Sequence, residues 1–222
     1  MSKILIVAEH DGVKLNPSTR KCVTCAAQIA GAEITLIVLA ADGAAVSAAA
    51  AAVSGVAKVI RVDHPPNANP VASVLAPQVA KLAAGYTHVF GPSTTFGKDL
   101  MPRVAALLGV NQLTDIMGVE SATRFRRPIY AGNAVQTVDW PAGTTLVATV
   151  RVASFEAAGE AGQASVESAD PGVAIPTHTR FVSRSAATSG RPDLQSATRV
   201  VSGGRALGSA ENFKLIFDLA DR

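Results

Sequence analysis

Aromatic residues are scarce in this chain: Phe, Tyr and Trp make up 5% of its 222 residues, with a single Trp. The core must therefore come from Ala, Val, Leu and Ile, and 48% hydrophobic against 17% charged residues is enough to build one. Two cysteines exclude a disulfide framework and suit a reducing compartment. No basic segment followed by an apolar run precedes the opening strand signal MSKILIVAEH, and no Arg-rich, Ser-rich leader stands there. The sequence thus predicts neither a secretory signal nor a transit peptide. The longest apolar stretch, Ala44 to Val53, is alanine-dominated, broken by Ser47 and too short to span a membrane. Net charge is only +3, from 20 Lys and Arg against 17 Asp and Glu. The cations are scattered and form no stripe with interleaved aromatics, which argues against a nucleic-acid partner.

What is present is a regular alternation. Apolar runs at Lys3–Glu9, Glu33–Ala40, Lys58–Val62 and Thr87–Gly91 read as strands buried on both faces. Between them fall helix signals: Asn16 to Gly31, Asp42 or Gly43 to Gly55, Val71 to Ala84, and Lys98 to Leu108, ended by Gly109. This pattern predicts an α/β fold, a doubly wound and mainly parallel sheet with right-handed crossovers. After Val110 the texture changes to β-branched segments separated by turns: Thr114–Glu120, Arg126–Ala131, Ala134–Val138 and Thr145–Val152. These are expected to add an antiparallel β section at the sheet edge. Val166 and Thr177–Val182 are weaker strand signals. The organisation expected is a first domain over 1–183, a Ser-, Ala-, Gly- and Pro-containing linker over 184–195, and the first strand and helix of a second α/β domain over 196–222. In the last segment Val200 and Val201 close a short strand, Ser202, Gly203, Gly204 and Arg205 make a tight turn, and Ser209 caps a helix whose Phe213, Ile216, Phe217 and Ala220 share a stripe.

Two turns carry candidate binding chemistry. Ser202–Arg205, between a strand and a helix, has the form of an anion site, with Arg205 able to grip a phosphate. The second is GPSTTFGKDLMPR, where Gly91–Lys98 links a strand to a helix at the carboxyl end of the sheet. Ser93, Thr94, Thr95, Lys98 and Arg103 offer it hydroxyls and charge, and the alternatives are a ligand or subunit contact and a plain helix start. Asp99 stands where a P-loop needs Ser or Thr. Cys22 and Cys25 form an isolated C-x-x-C, best read as two small residues packing on a helix. His10, His64, His88 and His178 are dispersed, and Asp99 and Asp115 form no evident carboxylate pair, so no catalytic or metal-ligating set emerges.

Read in order, GPSTTFGKDLMPRVAALLG, Gln112 with Asp115-Ile116, RPIYAGNA at Arg127–Ala134, TVR at Thr149–Arg151, RPDL at Arg191–Leu194 and VVSGGRALGSAENFKLIFDLAD resemble the α subunit of electron transfer flavoprotein. The resemblance covers essentially the whole chain. It implies a first domain that packs on a β subunit, which is also where AMP would sit, and a second domain that carries FAD. Of that second domain only the opening is expected here, so the chain resembles a C-terminally shortened member. The resemblance assigns Arg205 to the flavin, with Ser202, Gly203 and Gly204 shaping the turn, and departs from the family at Ala206, where glycine is usual. It further implies electron carriage from acyl-CoA dehydrogenases and related flavoenzymes to a membrane quinone oxidoreductase, without membrane insertion, in the bacterial cytoplasm or mitochondrial matrix. The alternative reading is a nucleotide-binding α/β module using Gly91–Lys98.

Overall fold

The central strands form because their apolar runs can be buried on both sides at once. In a computed structural model that describes residues 1–183, 185, 194 and 197–222, β1 (Ser2–Val7) pairs with β2 (Ala32–Ala40) on one side and β4 (His88–Pro92) on the other. Its Ile4 lies opposite both Ile34 and His88. Alternate residues then serve opposite layers. Ile4 and Ile6 pack with Cys22, Val23, Cys25 and Ala26 of α1 (Pro17–Ala27) and with Val46 and Ala50 of α2 (Ala44–Ala51). Leu5 and Val7 pack with Leu75 and Val79 of α3 (Ala72–Leu82) and with Leu100, Met101 and Val104 of α4 (Thr95–Leu108).

The helix ends follow local chemistry. Asn16 caps α1 by accepting the Ser18 N–H at 2.9 Å, with Pro17 in the first turn. Helix α4 starts three residues before the expected Lys98, because Thr94 is already extended (φ −91°, ψ 177°) and ends the loop. It stops at Gly109, whose left-handed φ of 66° lets the Val110 N–H return to the Ala105 carbonyl at 3.0 Å.

With β3 (Lys58–Asp63), β5 (Gln112–Ile116), β9 (Leu146–Val150) and β10 (Ser165–Ser168), the sheet has seven strands in the order β10-β3-β2-β1-β4-β9-β5. Every pairing in it is parallel. The expected doubly wound, mainly parallel α/β fold with an antiparallel addition is what the chain adopts. Two segments are used differently from expectation. Leu146–Val150, within the expected antiparallel Thr145–Val152, and Gln112–Ile116, which overlaps the expected antiparallel Thr114–Glu120, are parallel members of the main sheet. The antiparallel part is a separate three-stranded sheet of β6 (Gly118–Val119), β7 (Arg124–Ile129) and β8 (Ala134–Asp139). It occupies the crossover from β5 to β9, where a helix usually stands, and its fully buried Phe125 joins the core on the α1 and α2 face. Val166 lies in β10, paired with β3, whereas Thr177–Val182 forms no strand.

Contacts divide the chain into Met1–Phe181 and Val182–Arg222. The expected linker, 184–195, falls almost wholly outside the described residues. In the second unit Val200 and Val201 carry no ladder, since no second strand pairs with them among the described residues. A 3-10 turn at Arg205–Leu207 follows, then another at Glu211–Phe213 that leads into α5 (Lys214–Ala220). Ser209 does not cap that helix; its hydroxyl instead bonds the Glu211 carboxyl and holds it below the usual carboxylate range.

Candidate functional site

In a doubly wound sheet the binding crevice opens where strand order reverses. Here that point lies at the carboxyl ends of β1 and β4. Glu9 lies two residues beyond the end of β1 and is only 9% exposed. Its carboxylate accepts hydrogen bonds from the Ser18 hydroxyl at 2.5 Å and the Thr94 hydroxyl at 3.0 Å. Its own N–H donates to the Thr19 hydroxyl oxygen at 2.9 Å. The loop after β1, the first turn of α1 and the turn after β4 are thus tied to one negative charge. In the sequence Glu9 shows only as a carboxylate closing an apolar run, and its role depends on Thr94, far along the chain.

The Gly91–Lys98 turn is tight for packing reasons. A Cβ on Gly97 would collide with the Pro92 carbonyl oxygen, and one on Gly91 would sit 2.8 Å from the Met101 sulfur. The Ser93 N–H extends the β4–β9 ladder to the Val150 carbonyl at 2.7 Å. Thr94 is committed to Glu9, and Lys98 and Asp99 face solvent. A phosphate seated here would meet the Glu9 carboxylate, an arrangement that disfavours anions.

The remaining candidates divide clearly. Cys22 and Cys25 are both fully buried, and burial pushes both thiols well up, so neither is a ready nucleophile or ligand. Among the described residues no group of three or more His, Cys, Asp or Glu is placed to hold a metal ion. Burial also lowers the pKa of His10 and His88. The His10 Nε2 lies 3.0 Å from the Leu39 carbonyl, and the His88 Nε2 lies 2.7 Å from the Ala122 carbonyl, which clips the antiparallel sheet to β4. His64 borders a cavity of about 140 Å³ with Val62, Asp63, Gln78, Asp170, Pro171 and Val173, a volume too small for a dinucleotide. His178 is exposed.

At the sheet edge Asp115 takes a left-handed φ of 65°, where the β5–β9 register slips. Its N–H donates to the Thr149 hydroxyl oxygen at 3.0 Å and its carboxylate pairs with Arg151 at 3.3 Å. In the second unit Ser202, Gly203, Gly204 and Arg205 are all exposed. Gly203 is pressed against Leu207 and Ile216, whereas Gly204 has open space around it. The helix expected after Ser209 begins as a 3-10 turn at Glu211–Phe213 and becomes α5 at Lys214, with a further 3-10 turn at Arg205–Leu207 following the glycines. What the turn retains is an open backbone and an exposed guanidinium with no ion-pair partner among the described residues.

The first unit is a doubly wound α/β domain whose switch point is occupied by its own Glu9, Ser18 and Thr94 side chains. That class fits what comparison with known proteins returns. The model of the electron transfer flavoprotein domain matches residues 4–174. The chain belongs to the electron transfer flavoprotein family, and is by that membership an electron-transfer protein rather than an enzyme. It is 43% identical over 220 residues to the electron transfer flavoprotein subunit alpha of Pseudomonas aeruginosa, covering 99% of this chain and 70% of that protein. Its identity to the Paracoccus denitrificans subunit alpha is 41% over 226 residues, covering 100% of this chain and 71% of that protein. With the mitochondrial subunit alpha of Dictyostelium discoideum it shares 39% over 236 residues, covering 99% of this chain and 66% of that protein. The chain thus spans about two thirds of the length of these curated relatives. No helix among its described residues is long and apolar enough to cross a membrane.

Proposed function

We propose that the chain is the α subunit of a heterodimeric, FAD-containing electron carrier. It takes electrons from acyl-CoA dehydrogenases and related flavoenzymes and passes them to a membrane quinone oxidoreductase, in the bacterial cytoplasm or the mitochondrial matrix. The observation that carries this reading is the 39–43% identity, over 99–100% of the chain, to proteins named subunit alpha.

FAD, when bound, supplies the electron-accepting and electron-donating chemistry. Residues 1–183 serve as the platform for a β subunit, which holds any AMP. The Ser202–Arg205 turn fits one edge of a flavin site: Arg205 offers charged donors to a phosphate, and Gly204 lets the backbone approach closely. Residues 196–222 are then the opening of the flavin-binding domain. With its β subunit the full-length protein should purify yellow and reoxidise a reduced acyl-CoA dehydrogenase, and a colourless, inactive heterodimer would overturn the reading. Arg205→Ala in that complex should weaken FAD by roughly 1.5–3 kcal/mol, the range for a hydrogen bond to a charged group. The competing nucleotide-module reading is weakened by the buried Glu9 carboxylate at the switch point; calorimetry with AMP on the chain should show no binding.

A further inference from the structure

Two histidines have both ring nitrogens engaged, and the fold prepares them differently for a second proton. His10 follows Glu9 beyond the carboxyl end of β1 and is half-buried. Its Nε2 lies 3.0 Å from the Leu39 carbonyl, which can only accept, so that nitrogen carries the proton. Its Nδ1 accepts the Gly12 N–H at 3.1 Å, so that nitrogen is bare. The neutral Nε2–H tautomer is the one form that makes both bonds. A proton added at Nδ1 would point at another donor, and a backbone N–H cannot turn to accept it.

His88 is built the other way. Its Nε2 donates to the Ala122 carbonyl at 2.7 Å. Its Nδ1 lies 2.7 Å from the Thr87 hydroxyl, which also reaches the Lys3 carbonyl at 3.0 Å. A hydroxyl rotates. It donates to a bare Nδ1, or accepts from a protonated one and donates to Lys3 instead. The bond from His88 to Ala122 thus survives either state.

The loop that rests on His10 is otherwise self-contained. The Asp11 carboxylate accepts the Val13 and Lys14 N–H groups at 2.8 and 2.6 Å. Those bonds hold it below the usual carboxylate range, so this turn persists in mild acid. The Asn16 N–H donates to the Glu9 carbonyl at 2.9 Å and anchors the return of the chain. Around His10, Asp11 is the charge that favours protonation, and burial opposes it more strongly. The end of β2 contributes the Leu39 carbonyl. The Glu9 carboxylate is committed to Ser18 and Thr94, the first turn of α1 holds no acid, and Asp42 and Asp63, past the end of β2 and at the end of β3, pair with Arg61.

We propose that His10 is a proton-released latch on the loop between β1 and α1. Neutral, it holds residues 11–14 shut beside the end of β2. Protonated, it lets that tip swing out as one unit, while α1 and the His88 clip stay in place. The device goes beyond the subunit reading and does not depend on it.

The test is nitrogen-15 NMR of the full chain from about pH 7.5 down to about pH 5. At the upper end the His10 ring should show a protonated Nε2 and a bare Nδ1. As the ring titrates, the Gly12 amide should lose its hydrogen-exchange protection with the same midpoint, its open fraction rising by up to about 10-fold per pH unit. The Met117 and Trp140 amides, which bond to the Arg126 and Thr123 carbonyls in the clipped sheet, should keep theirs. His10→Gln leaves no titrating ring and should abolish the pH dependence at Gly12. The opposite tautomer at neutral pH, a ring still neutral at the lowest pH where the chain is folded, or a Gly12 amide that stays protected through the titration each overturns the inference on the unaltered chain. Equal loss of protection at Met117 and Trp140 would assign the change to general unfolding and refute the latch, as would a pH-dependent Gly12 in His10→Gln.

Discussion

Replacing Glu9 with Ala tests whether the switch point is held shut by one charge. The carboxylate accepts from two hydroxyls, at 2.5 and 3.0 Å, in a nearly closed site. Each hydrogen bond to a charged group is worth about 1.5–3 kcal/mol. Removing the side chain forfeits both, and water entering the vacated space restores part of the loss at Ser18 and Thr94. The expected destabilisation is about 3–4 kcal/mol. Glu9→Gln keeps an acceptor oxygen and the shape but loses the charge, and should cost about 1–2 kcal/mol. The assay is urea unfolding of the full chain, followed by circular dichroism and by Trp140 fluorescence. With a slope of about 2–3 kcal/mol per molar for a domain of this size, Glu9→Ala should lower the midpoint by about 1–2 M at an unchanged slope. Ser18→Ala and Thr94→Ala should each give about half the effect. If Glu9→Ala costs less than about 1 kcal/mol, or if Gln is as damaging as Ala, the carboxylate does not hold these loops together.

Gly97→Ala drives a methyl group into the Pro92 carbonyl and should destabilise by about 1–3 kcal/mol through overpacking; a melting temperature equal to wild type would show that the turn opens freely. Ala131→Gly removes the penalty of a left-handed alanine at φ 55° and should stabilise by about 0.5–1 kcal/mol in the same urea assay, net of the greater freedom of glycine in the unfolded chain. Burial holds His10 and His88 below their ordinary 6.5, so in mild acid the unfolded chain binds more protons than the folded one. Stability is therefore full above about pH 6.5 and falls as pH drops below it, by at most about 1.4 kcal/mol per pH unit for each histidine. A flat profile between pH 6.5 and 5 would refute this, and His88→Gln should reduce the slope.

The alternating half of the fold was legible because its strands are continuous apolar runs and its helices carry their own punctuation, such as Asn16-Pro17 and Gly109. Pairing direction was not legible after Val110. Leu146–Val150 is buried at all five positions, the mark of a central parallel strand, but its turn-rich neighbours suggested a hairpin. Gln112–Ile116 is interrupted by the Asp115 register slip, which no periodicity announces. At the switch point the glycines drew notice and Glu9 did not, because its role depends on Thr94, 85 residues away in sequence. The Ser202–Arg205 turn was visible as a turn, but a strand needs a partner, and Val200 and Val201 have none among the described residues.

The placement of β9 between β4 and β5 has a consequence for synthesis. Both neighbours leave the ribosome before the strand that must separate them. At about 5–20 residues per second, β5 waits several seconds for β9, beside a β4 edge that is still open. The stitch at Asp115 discriminates between the two possible mates: its N–H needs the Thr149 hydroxyl, and the β4 run HVFGP contains none. A nascent chain that zipped β5 directly onto β4 would leave that amide without the Thr149 hydroxyl it bonds in the finished sheet, so the native order is the one that answers it.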